Sequence, residues 1–131
     1  MALSGKKTVL VVDDEKDFLV LLRINLKADG YTVLEASSSI EALRICKQHT
    51  GVIHLIIADV VMPGKITGLE LLQCMVSMRP EMKRLCISGY LDEATFRQEV
   101  PDQGTAFLEK PFVLDELLRN VRTLLDAPRQ A

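Results

Sequence analysis

Four positions carry the charges that could do chemistry: the acidic pair Asp13 and Asp14, then Asp59, then Lys110. Each closes a short apolar run, Val9-Leu-Val-Val12 before the pair, Ile56-Ile-Ala58 before Asp59, and Ala106-Phe-Leu-Glu109 before Lys110. If those runs are parallel strands, the four side chains converge on one edge of one sheet. Three carboxylates in one crevice raise one another's pKa or require a cation. Oxygen ligands from adjacent strand ends suit Mg²⁺, a hard ion that keeps several waters and accepts phosphate oxygens as its remaining ligands. An aspartate in such a site can itself attack a phosphoryl group and become an acyl phosphate, provided that a metal and a cation offset the charge on the transferring oxygens. Ser88, which ends Cys86-Ile87-Ser88 before Gly89, adds a hydroxyl able to donate to a phosphate oxygen.

Taken singly, each residue also has an ordinary structural account. Asp13-Asp14-Glu15 would cap the helix that follows. Asp59 would be a turn residue, Ser88 would start a loop, and Lys110 would be a solvated lysine at a strand end. Their arrival at the same edge favours chemistry, because ligands in open α/β sheets bind beyond the carboxyl ends of the strands.

The elements that must position them alternate in period. Short β-rich runs at 8–12, 31–35, 53–58, 84–88 and 106–109 are separated by helical stretches at about 16–28, 39–48, 69–78, 92–100 and 114–126. The first helix stacks Phe18, Leu22 and Leu26 and stops at Asp29-Gly30. The second follows the capping stretch Ser37-Ser38, and the third is expected to bury Leu69, Leu72 and Val76 before Pro80. The fourth is short and cut by Pro101, whereas the fifth has apolar residues at Leu114, Leu117, Leu118, Val121 and Leu125. Strict alternation of strand and helix implies parallel pairing through right-handed crossovers. The expected fold is a doubly wound (βα)5, flavodoxin-like α/β sandwich, a five-stranded parallel sheet with helices on both faces. With strand order 2-1-3-4-5 the winding reverses between the first and third strands, which end at Asp13-Asp14 and at Asp59.

Composition narrows the class of function. The chain has 131 residues, enough for one domain, expected over 8–126 between tails at 1–7 and 127–131, and 48% hydrophobic residues can fill one core. Its net charge of −2, without a basic block beyond Lys6-Lys7, argues against direct nucleic-acid binding. No apolar stretch approaches the ~20 residues of a membrane helix, and the N-terminus lacks a signal-peptide pattern, so a cytoplasmic protein is expected. Cys46, Cys74 and Cys86 lie far apart in apolar segments and are expected to be buried free thiols.

The chain resembles the receiver domains of the two-component response-regulator family. The resemblance rests on Asp13-Asp14, Asp59-Val-Val-Met-Pro63, Gly68-Leu-Glu-Leu-Leu72, Ile87-Ser-Gly-Tyr90 and Ala106-Phe-Leu-Glu-Lys110-Pro-Phe112, in that order and spacing. It implies that Asp59 is the phosphoacceptor in a phosphorelay, with Asp13, Asp14, Asp59 and the Val60 carbonyl holding Mg²⁺. Lys110 and Ser88 would contact the phosphoryl group. Ser88 and Phe107 would form the switch, moving the face made by the fourth helix, fifth strand and fifth helix. The implied partner is a histidine kinase or a histidine phosphotransfer protein, and a homodimer through that switch face is left open. The implied role is a signalling switch that catalyses only its own phosphorylation and dephosphorylation. Val61 and Tyr90, two residues after Asp59 and Ser88, flank the path of an attacking water and are expected to slow phosphate loss.

The chain departs from the family's pattern in the four residues Gly64-Lys-Ile-Thr67 between Pro63 and Gly68, where three are common. The irregular stretch around Pro101 and Asp102-Gln-Gly104 resembles receivers attached to hybrid sensor kinases. Three other readings compete. An aspartyl-nucleophile phosphatase would carry a second aspartate two residues after the first, where this chain has Val61. A flavin carrier would have a Ser-, Thr- and Gly-rich loop where Asp13-Asp14-Glu15 stands. A degenerate receiver used only for binding would lack site residues that are all present here.

Overall fold

Val9, Leu10, Val11 and Val12 are all buried although their side chains alternate between two faces, the pattern of a strand covered on both sides. A computed structural model of the chain describes residues 6–59, 68–89 and 105–126, together with Ala94 and Arg97. In chain order the described elements are β1 (Thr8–Val12), α1 (Lys16–Ala28), β2 (Thr32–Ala36), α2 (Ser39–Gln48), β3 (Leu55–Asp59), α3 (Gly68–Met78), β4 (Lys83–Ser88), β5 (Thr105–Glu109) and a C-terminal helix (Leu114–Asp126). The strands form one parallel sheet in the order β2-β1-β3-β4-β5, the doubly wound arrangement expected from the alternation.

The sheet separates two apolar layers. Leu10, Val12, Ile56, Ala58 and Cys86 pack toward α2 and α3, against Ala42, Cys46, Leu71, Leu72 and Met75. Val9, Val11, Leu55, Ile57, Leu85 and Ile87 face the other way, against Leu22 and Leu26 of α1 and Leu117 and Val121 of the C-terminal helix. Residues one apart on a strand thus feed opposite layers, as period two requires.

Local signals set the helix ends. α1 stops where Gly30 takes φ 94° and the Tyr31 N–H reaches back to the Leu26 carbonyl at 3.1 Å. α2 opens with a reciprocal cap, in which the Glu41 N–H donates to Ser38 Oγ at 3.1 Å and the Ser37 N–H donates to the Glu41 carboxylate at 2.6 Å. At its other end the Arg79 guanidinium donates to the carbonyls of Cys46, His49 and Gly51. Lys7, expected in a tail, accepts the Thr32 N–H on its carbonyl and donates from Nζ to the Leu125 carbonyl.

The buried face of α3 differs from expectation. Leu72 is buried, but Leu71 and Met75 share that role, while Val76 is 40% exposed. Apolar residues crowd more than one side of this helix, so periodicity alone did not select the face. The same rotation exposes Cys74, expected to be buried, whereas Cys46 and Cys86 are buried free thiols. The second and third strands each run one residue further toward the site than their predicted ends, to Ala36 and Asp59. Of the helix expected over 92–100, Ala94 and Arg97 are helical and the rest lies outside the described residues, as do the side chain of Leu69 and the whole of 60–67. Among the described residues no helix is long and apolar enough to cross a membrane.

Candidate functional site

β1 and β3 are neighbours with Val12 opposite Ala58, so Asp13 leaves its strand beside Asp59, the last residue of β3. The Asp13 N–H donates to the Ala36 carbonyl at 3.1 Å and prolongs the ladder with β2, which fixes the backbone before the chain turns into α1. In that turn Asp13 Oδ1 accepts the Glu15 N–H at 2.9 Å. Glu15, not the aspartate pair, takes the cap position of α1, and its side chain makes no capping bond. Asp13 is 2% exposed, and Asp14 faces solvent. Burial pushes the Asp13 carboxyl up to about 6; the Glu15 N–H opposes this, Asp59 adds to it, Lys110 opposes it, and Asp14 adds to it.

Lys110 comes from the other side. Its N–H donates to the Ser88 carbonyl at 2.8 Å, carrying the pairing of β4 and β5 one residue past the strand. Its side chain then runs back over Gly89, where an added Cβ would lie 3.5 Å from the lysine Cβ. Nζ ends 2.8 Å from Asp59 Oδ2. Burial alone would lower the lysine pKa, but the Asp59 bond and charge, with Asp13 and Glu15, outweigh it and leave the ammonium above its ordinary value.

Ser88 ends β4, between the strands that carry Asp59 and Lys110, and is fully buried. Phe107 lies on β5 opposite Cys86, half-buried against the layer that contains it. The sheet edge therefore gathers Asp13, Asp14, Asp59, Ser88 and Lys110, with Phe107 one strand pair behind. Val60, Val61 and Tyr90 lie outside the described residues.

Among the described residues no three His, Cys, Asp or Glu side chains form a ready-made metal cage. Mg²⁺ needs none: it binds through one or two carboxylates and fills its shell with water and phosphate oxygens. A buried carboxyl raised to about 6 beside a second carboxylate is an all-oxygen donor set that such a cation relieves. The residues present fit the ion.

A family model for the response regulator receiver domain matches residues 9–122. The sensor kinase CckA of Brucella abortus is 38% identical over 124 residues, which cover 95% of this chain and 13% of that kinase. A response regulator receiver protein from Sinorhizobium medicae has a TM-score of 0.82 at 26% identity, covering 94% of this chain and 97% of that one. The response regulator TrrA of Thermotoga maritima, solved in complex with Mg²⁺ and BeF, has a TM-score of 0.74 at 32% identity, covering 91% of this chain and 99% of that one. The chain spans only 13% of the length of CckA and about half or less of that of the other most similar curated relatives. With the strand order, the two apolar layers and the acidic edge all in place, the chain belongs to the response-regulator receiver family.

Proposed function

We propose that Asp59 accepts a phosphoryl group from a phosphohistidine donor, and that the domain transmits its phosphorylation as a change of shape. The observation that carries this reading is the Lys110 to Asp59 contact of 2.8 Å beside the buried Asp13. An Asp59 carboxylate oxygen attacks phosphorus, the P–N bond to the donor imidazole breaks, and the imidazole leaves with its electron pair and takes up a proton. Later, water attacks the acyl phosphate and returns inorganic phosphate and the Asp59 carboxylate. Lys110 would follow the charge from the carboxylate to the phosphoryl oxygens, and the Ser88 hydroxyl would donate to one of them. Asp13, Asp14, Asp59 and the Val60 carbonyl would hold Mg²⁺, which supplies charge neutralisation on the transferring oxygens.

The resulting switch pulls Ser88 toward the phosphate and turns Phe107 inward, altering the surface formed by the 92–100 segment, β5 and the C-terminal helix. The donor is a histidine kinase or a phosphotransfer protein, and the 38% identity to CckA supports a receiver of the hybrid-kinase type. To test it, the protein is incubated with Mg²⁺ and acetyl phosphate and weighed by mass spectrometry. One added phosphoryl group, lost in Asp59→Ala, is expected. Absence of labelling, or labelling that survives Asp59→Ala, overturns the reading.

A further inference from the structure

Arg84 is a cation inside the sheet. It is 3% exposed and shares one face of β4 with Cys86 and Ser88, two and four residues on. A guanidinium taken out of water is costly unless its donors are met, and here Nε donates to Thr105 Oγ1 at 2.9 Å while Nη1 donates to the Met82 carbonyl at 2.5 Å. Thr105, 1% exposed, stands opposite Arg84 as Phe107 stands opposite Cys86. The clasp thus grips β5 one same-face step before Phe107. With the clasp made, Phe107 is only half-buried.

We propose that Arg84 is a positioning residue of the switch, whose clasp on Thr105 holds β5 in the arrangement in which Phe107 is half-buried and so opposes its further inward turn. The inference rests on Asp59 being the phosphoacceptor. Opening the clasp leaves a buried Nε donor and the buried Thr105 hydroxyl to find other partners, which makes it costly to release.

The test titrates the full chain, with Mg²⁺ present, with beryllofluoride as the phosphoryl mimic, in wild type, Arg84→Met, Thr105→Val, the double variant and Thr105→Ser. Each of the first two should bind beryllofluoride more tightly by about three- to thirtyfold, the range for residues that couple sites through packing. The double variant should gain no more than Arg84→Met alone, since the bond to Thr105 is already lost there, and Thr105→Ser should match wild type. Thr105→Val, nearly isosteric, carries the test if Arg84→Met does not fold. Wild type that binds while the variants bind equally or more weakly, with only their melting temperature changed, overturns the clasp alone. Wild type that takes up no beryllofluoride overturns the phosphoacceptor reading and the clasp with it.

Discussion

Lys110 Nζ lies 2.8 Å from Asp59 Oδ2 across an intervening strand, since β4 separates the strands that end at these two residues. The pair is partly open to water, with the lysine side chain 35% and the aspartate side chain 12% exposed. An ion pair of that exposure contributes about 1 kcal/mol or less to stability. Its value lies in pointing a positive charge at the oxygens of Asp59. Lys110→Met should therefore leave the melting temperature nearly unchanged yet slow labelling by acetyl phosphate by about 100- to 1000-fold, as for removal of one preorganised electrostatic donor. Time-resolved mass spectrometry checks both rate and stoichiometry.

Asp13 makes the metal-free protein sensitive to pH. Its carboxyl moves from 3.8 to about 6 on folding, so between those values the folded chain holds a proton that the unfolded chain releases. Stability then falls as pH rises through that window, by up to roughly 3 kcal/mol from this group. Asp13→Asn removes the dependence. Relative to wild type in chelator, the variant should gain stability as pH rises from about 4 to 6 and keep the gain at pH 7.5. Adding Mg²⁺ should stabilise wild type and not the variant. Urea denaturation of both proteins across that range, with and without Mg²⁺, measures each effect.

Arg79 holds the far end of the molecule. Its guanidinium satisfies the carbonyls of Cys46, His49 and Gly51, about thirty residues away in sequence, where α2 ends. Arg79→Met should cost about 2–4 kcal/mol, because several carbonyls lose a charged donor together. Labelling of Asp59 should not change, since this helix end lies at the opposite edge of the sheet. A variant that unfolds normally but labels slowly would contradict that separation.

The proposed phosphate on Asp59 makes the expected role of Val61 and Tyr90 testable. If their bulk obstructs the attacking water, Val61→Asn combined with Tyr90→Ala should release phosphate faster than wild type from the labelled, purified protein. Equal rates of release sink the idea.

How far the chain could be understood without its fold is clearest in particular elements. α1, α2 and the C-terminal helix span the residues that apolar spacing and stop signals predict, at 16–28, 39–48 and 114–126, and α2 alone begins on its predicted side-chain cap. The acidic edge was equally legible, because strict alternation of strand and helix leaves only a parallel sheet, and a parallel sheet brings all its carboxyl ends to one side. α3 was not, because Leu71, Leu72, Met75 and Val76 offer apolar surface in more than one direction and only the neighbouring layer selected among them. Nor did composition announce that Arg84 would be buried or that Arg79 would close α2. Sequence by itself determined which segments become strands and helices and which residue types meet at the site, since caps, periodicity and alternation act over a few neighbouring residues. Tertiary structure alone decided that Lys110 reaches over β4 to Asp59, that Asp13 is desolvated beside it, and that Arg84 grips Thr105. Those bonds join residues 51 and 21 positions apart for the first and last pair, and packing, not local pattern, brings such partners together.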